Sequence, residues 1–408
     1  MPQASKQPRE DSRSGPPSAA RAPGGGILVD HQIAAWVGRH ILVPVDAPAI
    51  EQRQLQPASL DLRLSGRFAT LRSGFLPERA TIEGRVEELA IEQGNLDGQG
   101  AVFKRGLIYL VELEERLDLP PGVVARFNPR SSSGRLDLFC RVLVPGHPRF
   151  DETPPGYRGP LWLEIVPLSF PVRLRRGDRL VQARLQSGEC ALSREELRGI
   201  YAATPLCFEG QRPLDLSEVR FDEQGALELR VGLSGRKPCG WRAALHTGVV
   251  EFGANAVHDP FDFFESVYAS EPKQAPGAAG CILDPGRFYI FASRERLRVP
   301  PDLCAEMLPV DVGFGELRNN YAGFFDNGFG WEQAEDGSPR GHGTPAVLEV
   351  RAHDVPFLVE DGQIFFRLRF FRTSGRPRHL YGQGRAGPSY GAQDLTLARP
   401  FRTGPRAG

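Results

Sequence analysis

An all-β fold with short helices, one β domain written twice in tandem, is what the 408-residue chain predicts. Three observations carry the prediction. Gly (46) and Pro (36) make up about a fifth of the residues, where average usage gives roughly 12%, so turns are frequent and long helices few. Short segments alternate apolar and polar residues with period two, as in Ser59-Leu60-Asp61-Leu62-Arg63-Leu64 and part of Ile108-Tyr109-Leu110-Val111-Glu112-Leu113, and Gly- or Pro-rich breaks recur between them. The sequence also repeats. A displacement of 180 lays residues 109–129 over 289–309 with eight identities in 21 positions, among them Tyr109/Tyr289, Glu115/Glu295, Arg116/Arg296 and Pro129/Pro309. A displacement of 185 lays 160–185 over 345–370 without a gap and matches Leu163/Leu348, Glu164/Glu349 and Arg184/Arg369. Upstream, Leu60-Asp61-Leu62-Arg63 faces Leu227-Glu228-Leu229-Arg230, so the blocks keep one order in both halves.

Residues 1–26, rich in Pro, Ser, Arg, Ala and Gly, lack the apolar run of a secretory signal and read as a disordered tail. The first ordered element is a short helix: Asp30 is placed to cap it, and Ile33, Trp36 and Val37 fall at i, i+3, i+4 before Gly38 stops it. Copy one then spans 27–205 and copy two 206–408, with the join near 201–211.

Fifty Lys and Arg balance fifty Asp and Glu, so no bulk charge draws the chain to nucleic acid or to an anionic membrane, and neither is expected as a partner. Only Lys6, Lys104, Lys237 and Lys273 are lysines, which leaves 46 arginines and makes Arg-based anion binding the expectation. No G-x-x-x-x-G-K-[ST] string exists, which excludes a P-loop. The six cysteines are at least 17 residues apart and form no C-x-x-C, a pattern of reduced, mostly buried thiols. No run approaches the 18 or so apolar residues of a membrane span, so a cytoplasmic protein is expected.

The halves differ most between residues 128 and 151. Copy one reads Asn128-Pro129-Arg130-Ser131-Ser132-Ser133-Gly134-Arg135. Two guanidinium groups, three hydroxyls and a small-residue turn suit a polyphosphate, because Arg makes bidentate charge-assisted bonds to phosphate and the backbone of such a turn approaches closely. The same string is also what an ordinary polar turn looks like. Copy two has Leu308-Pro309-Val310-Asp311-Val312-Gly313-Phe314-Gly315 there, without hydroxyls or Arg. Next in copy one come Arg149-Phe150-Asp151 and Pro155-Gly156-Tyr157-Arg158-Gly159-Pro160-Leu161-Trp162-Leu163-Glu164. A Gly turn leads there into a strand with Trp162 and Glu164 on one face, which suits a base and an acid/base group, although a strand Glu is more often simply solvated.

Together, Q-P-A-S-L-D-L-R-L (56–64), R-S-S-S-G-R (130–135), R-F-D (149–151) and P-G-Y-R-G-P-L-W-L-E (155–164) resemble the dCTP deaminases, which share their fold with the trimeric dUTP diphosphatases. The resemblance covers most of copy one and is patchier in copy two, where the R-S-S-x-x-R string is lost although Glu349 persists opposite Glu164. It implies two tandem dUTPase-like distorted β-barrels of the β-clip type. It also implies that Glu164 is the catalytic acid/base, with Ser131 and Arg135 holding the attacking water and the base. Arg130, Ser132, Ser133 and Gly134 of the loop, together with Arg149, Asp151, Trp162 and Leu163, are implied as substrate contacts. Three extra residues, 152–154, precede the Pro-Gly turn and loosen the placement of Asp151.

The family closes its site with a C-terminal tail, and Tyr381 with Ser389-Tyr390-Gly391-Ala392-Gln393 looks like that tail with its Lys replaced by Ser389. Tyr381, Tyr390 and Gln393 are therefore implied as further contacts. Because the tail follows copy two, one composite site is expected, made from the core of copy one and the tail of copy two. Hydrolytic deamination of dCTP to dUTP and ammonia, feeding dUMP and thymidylate synthesis, is the activity implied. A bifunctional enzyme releasing dUMP, a dUTP diphosphatase and a non-enzymatic nucleotide-binding regulator are the alternatives. Zinc-dependent deaminases need H-x-E and P-C-x-x-C, which this sequence lacks. No tightly bound cofactor is expected, with Mg²⁺ accompanying the triphosphate, and a homo-oligomer is implied. Gly382-Gln383-Gly384-Arg385-Ala386-Gly387 matches G-x-G-x-x-G, but Pro388 follows and no βαβ unit can. His147 reads as a solvated loop residue, and Phe324, Phe325, Phe329 and Trp331 read as core or interface rather than ligand-stacking groups.

Overall fold

The computed structural model describes residues 25–271, 279–308, 317–319, 323–333, 339–352, 354–383 and 395–403. Short strands dominate, and the longest helix, Arg194–Ala203, has ten residues. Of the segment expected to form a tail, residues 1–24 lie outside the described residues, while Gly26 opens a strand that pairs with Gln186 and Ser187. The first helix spans Asp30–Trp36. Val29, not Asp30, occupies its cap position, and the Asp30 carboxylate is engaged elsewhere, as described below. Gly38, at φ 78°, ends the turn in the left-handed region that favours glycine.

In copy one, five antiparallel strands form one sheet in the order Leu138–Leu143, Trp162–Pro167, Ile108–Leu113, Leu64–Leu71 and Ala90–Asn95. In copy two, Thr344–Ala352, Phe288–Leu297, Gly240–Ala243 and Phe264–Val267 pair in the corresponding order. The displacements of 180 and 185 reappear as cross-strand register: Glu164 faces Leu110 in copy one, and Glu349 faces Ile290 in copy two. A second sheet in each copy pairs the long strand Val181–Ser187 with Val123–Pro129 and Leu60–Leu62, or Ile364–Arg372 with Leu303–Leu308 and Leu227–Arg230. Apolar side chains of the facing sheets fill two cores, one around Leu62, Val111, Leu163 and Phe170, the other around Leu229, Phe291, Leu348 and Phe366.

One Arg–Glu ion pair recurs in both copies. Glu115 accepts from the Arg63 amide at 2.8 Å and from Arg63 Nε at 2.7 Å, and Glu295 accepts from the Arg230 amide at 2.8 Å and from Arg230 Nε at 2.5 Å. The copies also interlock. Val250–Glu251 adds a parallel strand to Val172–Leu174, and Phe263, Phe264, Leu397, Ala398 and Phe401 join the core of copy one. Arg184, fully buried, donates to the carbonyls of Ala305 and Phe325 and to Asp326 Oδ1 at 2.8, 3.0 and 2.9 Å. These contacts bring the R-S-S-S-G-R loop of copy one against copy two.

Candidate active site

The loop folds as a single helical turn, Ser131–Gly134, capped by Arg130 in extended conformation. Its amides close on themselves: Ser133 and Gly134 donate to the Arg130 carbonyl and Arg135 to the Ser131 carbonyl. Arg130, Ser131, Ser132 and Arg135 line a cavity of about 500 Å³ between the two copies. Ser133 is buried and donates its hydroxyl to the Leu180 carbonyl at 2.8 Å, so it holds the turn rather than facing the cavity. Gly134 touches the carboxylate of Glu349, and a Cβ added there would stand 2.1 Å from Glu349 Oε2. Only glycine leaves room for that approach.

Glu349 is 3% exposed and lines the cavity; its counterpart Glu164 does not. Glu164 is instead covered by its own copy, where a Cβ on Gly74 would lie 2.7 Å from Glu164 Oε2. Burial pushes its carboxyl above the ordinary range, with Arg141 pulling the other way. Asp151, Trp162, Leu163 and Arg149 also lie away from the cavity. Asp151 accepts from the Val142 amide at 2.7 Å, and burial raises its pKa to about 7 against that bond and Arg141. Leu163 is a core residue, Trp162 packs against the small cluster of Ala69, Leu71, Ile82, Leu110 and Leu143, and Arg149 pairs with Glu152 at 2.9 Å. His147 is not an open loop residue either: its side chain is 16% exposed and stands 3.6 Å from Glu152. Tyr390, Gln393 and the rest of the G-x-G-x-x-G string beyond Gln383 lie outside the described residues.

Several cavity residues carry no role in the sequence reading. Arg53, Arg179 and Arg399 line the same cavity as Arg130 and Arg135, and arginines are the side chains best suited to phosphate oxygens. Buried Asp61 braces two of them, with Oδ1 at 3.1 Å from Arg130 Nε and Oδ2 at 3.4 Å from Arg179 Nη1. Burial raises the Asp61 pKa while these two cations oppose it. Gln56 and Asp61 stand in the quoted block 56–64, so that motif held a signal for them; Arg179 and Arg399 are lone arginines among many. Phe324, Phe325 and Phe329 line the cavity, which departs from a pure packing role, although Phe325 and Phe329 are also core residues. Arg184 lies 4.0 Å over the Phe324 ring.

The tail reaches the same space. Tyr381 lines the cavity, its ring 5.4 Å from Phe329, and its amide donates to the Asn327 carbonyl at 2.8 Å. Asp30 holds the approach: it accepts from the amides of Arg378 and His379 at 2.9 and 3.1 Å, and His379 Nδ1 lies 3.1 Å from Oδ2. Burial opposes its charge, but these bonds and that from the His31 amide prevail and hold the Asp30 carboxyl below the usual range. Farther on, Arg135 Nη1 donates to the Thr396 carbonyl at 2.8 Å, so the segment 395–403 is fastened to the loop.

Comparison with known proteins agrees with this architecture. Residues 24–189 match the model of the 2'-deoxycytidine 5'-triphosphate deaminase N-terminal domain, and 193–401 match that of the C-terminal domain. The dCTP deaminase of Natronomonas pharaonis is 34% identical over 141 residues, covering 34% of this chain and 68% of that protein. The dCTP deaminase, dUMP-forming, of Dictyoglomus thermophilum is 31% identical over 163 residues, covering 38% and 77%. The crystal structure of 2'-deoxycytidine 5'-triphosphate deaminase from Agrobacterium tumefaciens superposes with a TM-score of 0.74 at 40% identity, covering 86% of this chain and 99% of that one. With both domain models placed in order along a two-copy β fold, the chain belongs to the dCTP deaminase family.

Proposed function

We propose that this dCTP deaminase works at the cavity between its copies, with copy one (27–205) supplying the loop and copy two (206–408) supplying the acid/base carboxylate, Glu349, and the closing tail. The observation that carries this reading is the contact of Glu349 with Gly134, inside the R-S-S-S-G-R turn. A volume of about 500 Å³ suits a nucleotide. Arg53, Arg130, Arg179 and Arg399 are assigned to the triphosphate, and the wall of Phe324 and Tyr381 to the nucleoside. Any Mg²⁺ arrives with the substrate on its phosphate oxygens.

Deamination consumes one water. Oxygen bonds to C4 of cytosine, one proton passes from the water through the carboxylate to N3, and a second passes from the new hydroxyl to the amine. The C4–N bond then breaks, ammonia leaves, C4=O forms and the carboxylate is restored. Glu349 is the group buried beside the loop that can relay each proton in turn. Ser131 and Arg135, on the same wall, orient the water and the base. Glu164, sealed behind Gly74, is assigned a structural role. Six buried free thiols favour a reducing cytoplasm, and we take the working form to be a homo-oligomer.

The test incubates the full chain with dCTP and quantifies ammonia, dUTP, dUMP and pyrophosphate, so that a dUMP-forming reaction is seen directly. Glu349→Gln is expected to lower ammonia release about 10³-fold, within the range of a lost general acid/base, while folded Glu164→Gln keeps activity within about 3-fold of the parent. The opposite ranking overturns the assignment.

A further inference from the structure

Two residues beyond Glu349 on the same strand stands Arg351, and period two puts both side chains on one side of Thr344–Ala352. Where Glu349 meets Gly134, Arg351 meets Asp137, three residues farther along copy one. Arg351 Nη2 forms an ion pair with Asp137 Oδ2 and lies 3.3 Å from Ser169 Oγ. Its Nη1 donates to the Gly286 carbonyl. Ser169 in turn donates to Asp137 Oδ2 at 2.6 Å. Asp137 is fully buried and is part of the turn that bears the loop: its amide donates to the Gly134 carbonyl at 2.9 Å, and its carbonyl accepts from the Leu168 amide at 3.1 Å. Its φ of 55° ends the turn in the left-handed region, which Asp and Asn adopt more readily than other side chains.

The pair has a direction. The strand position in copy one that corresponds to Arg351, two beyond Glu164, holds Val166. No cation is available there to make the mirror contact, so this attachment fastens the strand of copy two to the loop of copy one and not the reverse.

We infer that Asp137 and Arg351 are positioning residues of the deaminase site, a clasp that sets how far the Glu349 carboxylate stands from Ser131 and Arg135. The inference rests on the reading of Glu349 as the acid/base. Two contacts on one strand face, Glu349 at Gly134 and Arg351 at Asp137, fix both the distance and the angle of that strand against the turn. Misplacement of a reacting group by about 1 Å is enough to cost on the order of 10²-fold in rate.

The experiment uses the full chain and steady-state deamination of dCTP. Asp137→Asn keeps the left-handed backbone and a polar partner for Ser169 while removing the charge. Arg351→Lys keeps a cation, Arg351→Leu removes it, and Arg351→Leu combined with Asp137→Asn removes both charges, so no buried charge is left alone in the double variant. Asp137→Asn is expected to lower kcat about 10- to 100-fold with KM for dCTP changed less than about 3-fold. Arg351→Lys recovers most of kcat, and the double variant is no slower than Asp137→Asn alone, because the two residues act as one unit. Unfolding midpoints measured alongside keep the comparison to folded protein. The clasp is overturned if folded Asp137→Asn and the double variant keep kcat within about 2-fold of the parent, if kcat and KM move together, or if the single effects add. Glu349→Gln separates the two ideas: an active Glu349→Gln overturns the acid/base reading itself, whereas an inactive one beside unaffected clasp variants overturns only the clasp.

Discussion

Glu164 and Glu349 occupy one position in a duplicated sheet, facing Leu110 and Ile290 in matching register, yet their surroundings have little in common. Glu164 is roofed by Gly74 of its own copy, and Glu349 meets Gly134 of the other copy at the edge of an arginine-lined cavity. Strand position alone therefore does not decide what a carboxylate faces. What differs is the partner surface. Copy one contributes a loop and copy two contributes a strand.

The ion pairs at Glu115 and Glu295 offer the largest contrast in stability. In copy one the side chains of Glu115 and Arg63 are 0% and 6% exposed, and Gln54 Nε2 donates to Glu115 at 2.8 Å. Glu115→Gln strands a buried guanidinium and is expected to cost about 3–5 kcal/mol. In copy two Arg230 is 32% exposed and borders a small cavity of about 170 Å³ with Glu295, so its charge can be rehydrated. Glu295→Gln is expected to cost only about 1–2 kcal/mol. Denaturant unfolding of both variants checks the ranking, and equal losses would mean that the two copies are buried alike.

A second contrast concerns pH. Asp151, beside Glu164 in copy one, has its pKa raised to about 7, first by burial and then by the charges of Glu164 and Glu152, against the Val142 bond and Arg141. A carboxyl whose folded pKa exceeds its unfolded value favours the fold while both states are protonated. That advantage is lost as pH rises from about 4 through about 7, because the unfolded chain ionises first. Loss of stability of about 4 kcal/mol across that window is expected, and Asp151→Asn flattens it. Because Asp151 lies outside the cavity, the change belongs to the unfolding curve and not to kcat. A parallel shift in the pH profile of deamination would place Asp151 in the reaction.

These contrasts also mark how far sequence reasoning reaches. The repeat was legible because strand alternation and Gly-Pro turns are local, and its two displacements survive as the register of the Glu164 and Glu349 strands. R-S-S-S-G-R and Tyr381 were legible as short motifs, and both reach the cavity. Which glutamate faces the loop was not, since that depends on how one copy docks on the other, a contact 215 residues apart in sequence between Gly134 and Glu349. Arg179 and Arg399 escaped for a related reason: nothing beside them in the chain distinguishes them from the other arginines, and only the fold gathers them.

The helices that open the two matched domains give the smallest and most selective contrast. Arg194–Ala203 begins conventionally: Ser193 Oγ accepts from the Glu196 amide at 3.3 Å and Glu196 Oε2 accepts from the Ser193 amide at 2.8 Å, a reciprocal capping box. Asp30–Trp36 begins with Val29 at the cap and spends the Asp30 carboxylate on Arg378 and His379, the residues that lead into Tyr381. One helix start is used to stabilise a helix, the other to hold the segment that leads to Tyr381. Ser193→Ala should therefore lower stability by about 1 kcal/mol and leave KM for dCTP alone. Asp30→Asn keeps an acceptor oxygen but loses the charge that favours both amides, so it should raise KM about 3- to 10-fold, the worth of one charge-assisted bond in part. Truncation after Tyr381 also removes Arg399 from the cavity and Leu397, Ala398 and Phe401 from the core of copy one, so it should lower stability as well as raise KM at least as much as Asp30→Asn. Steady-state kinetics and thermal unfolding on the same three variants decide it: if Ser193→Ala and Asp30→Asn fall on one line of stability against KM, Asp30 is only a helix-end residue and the tail is held by something else.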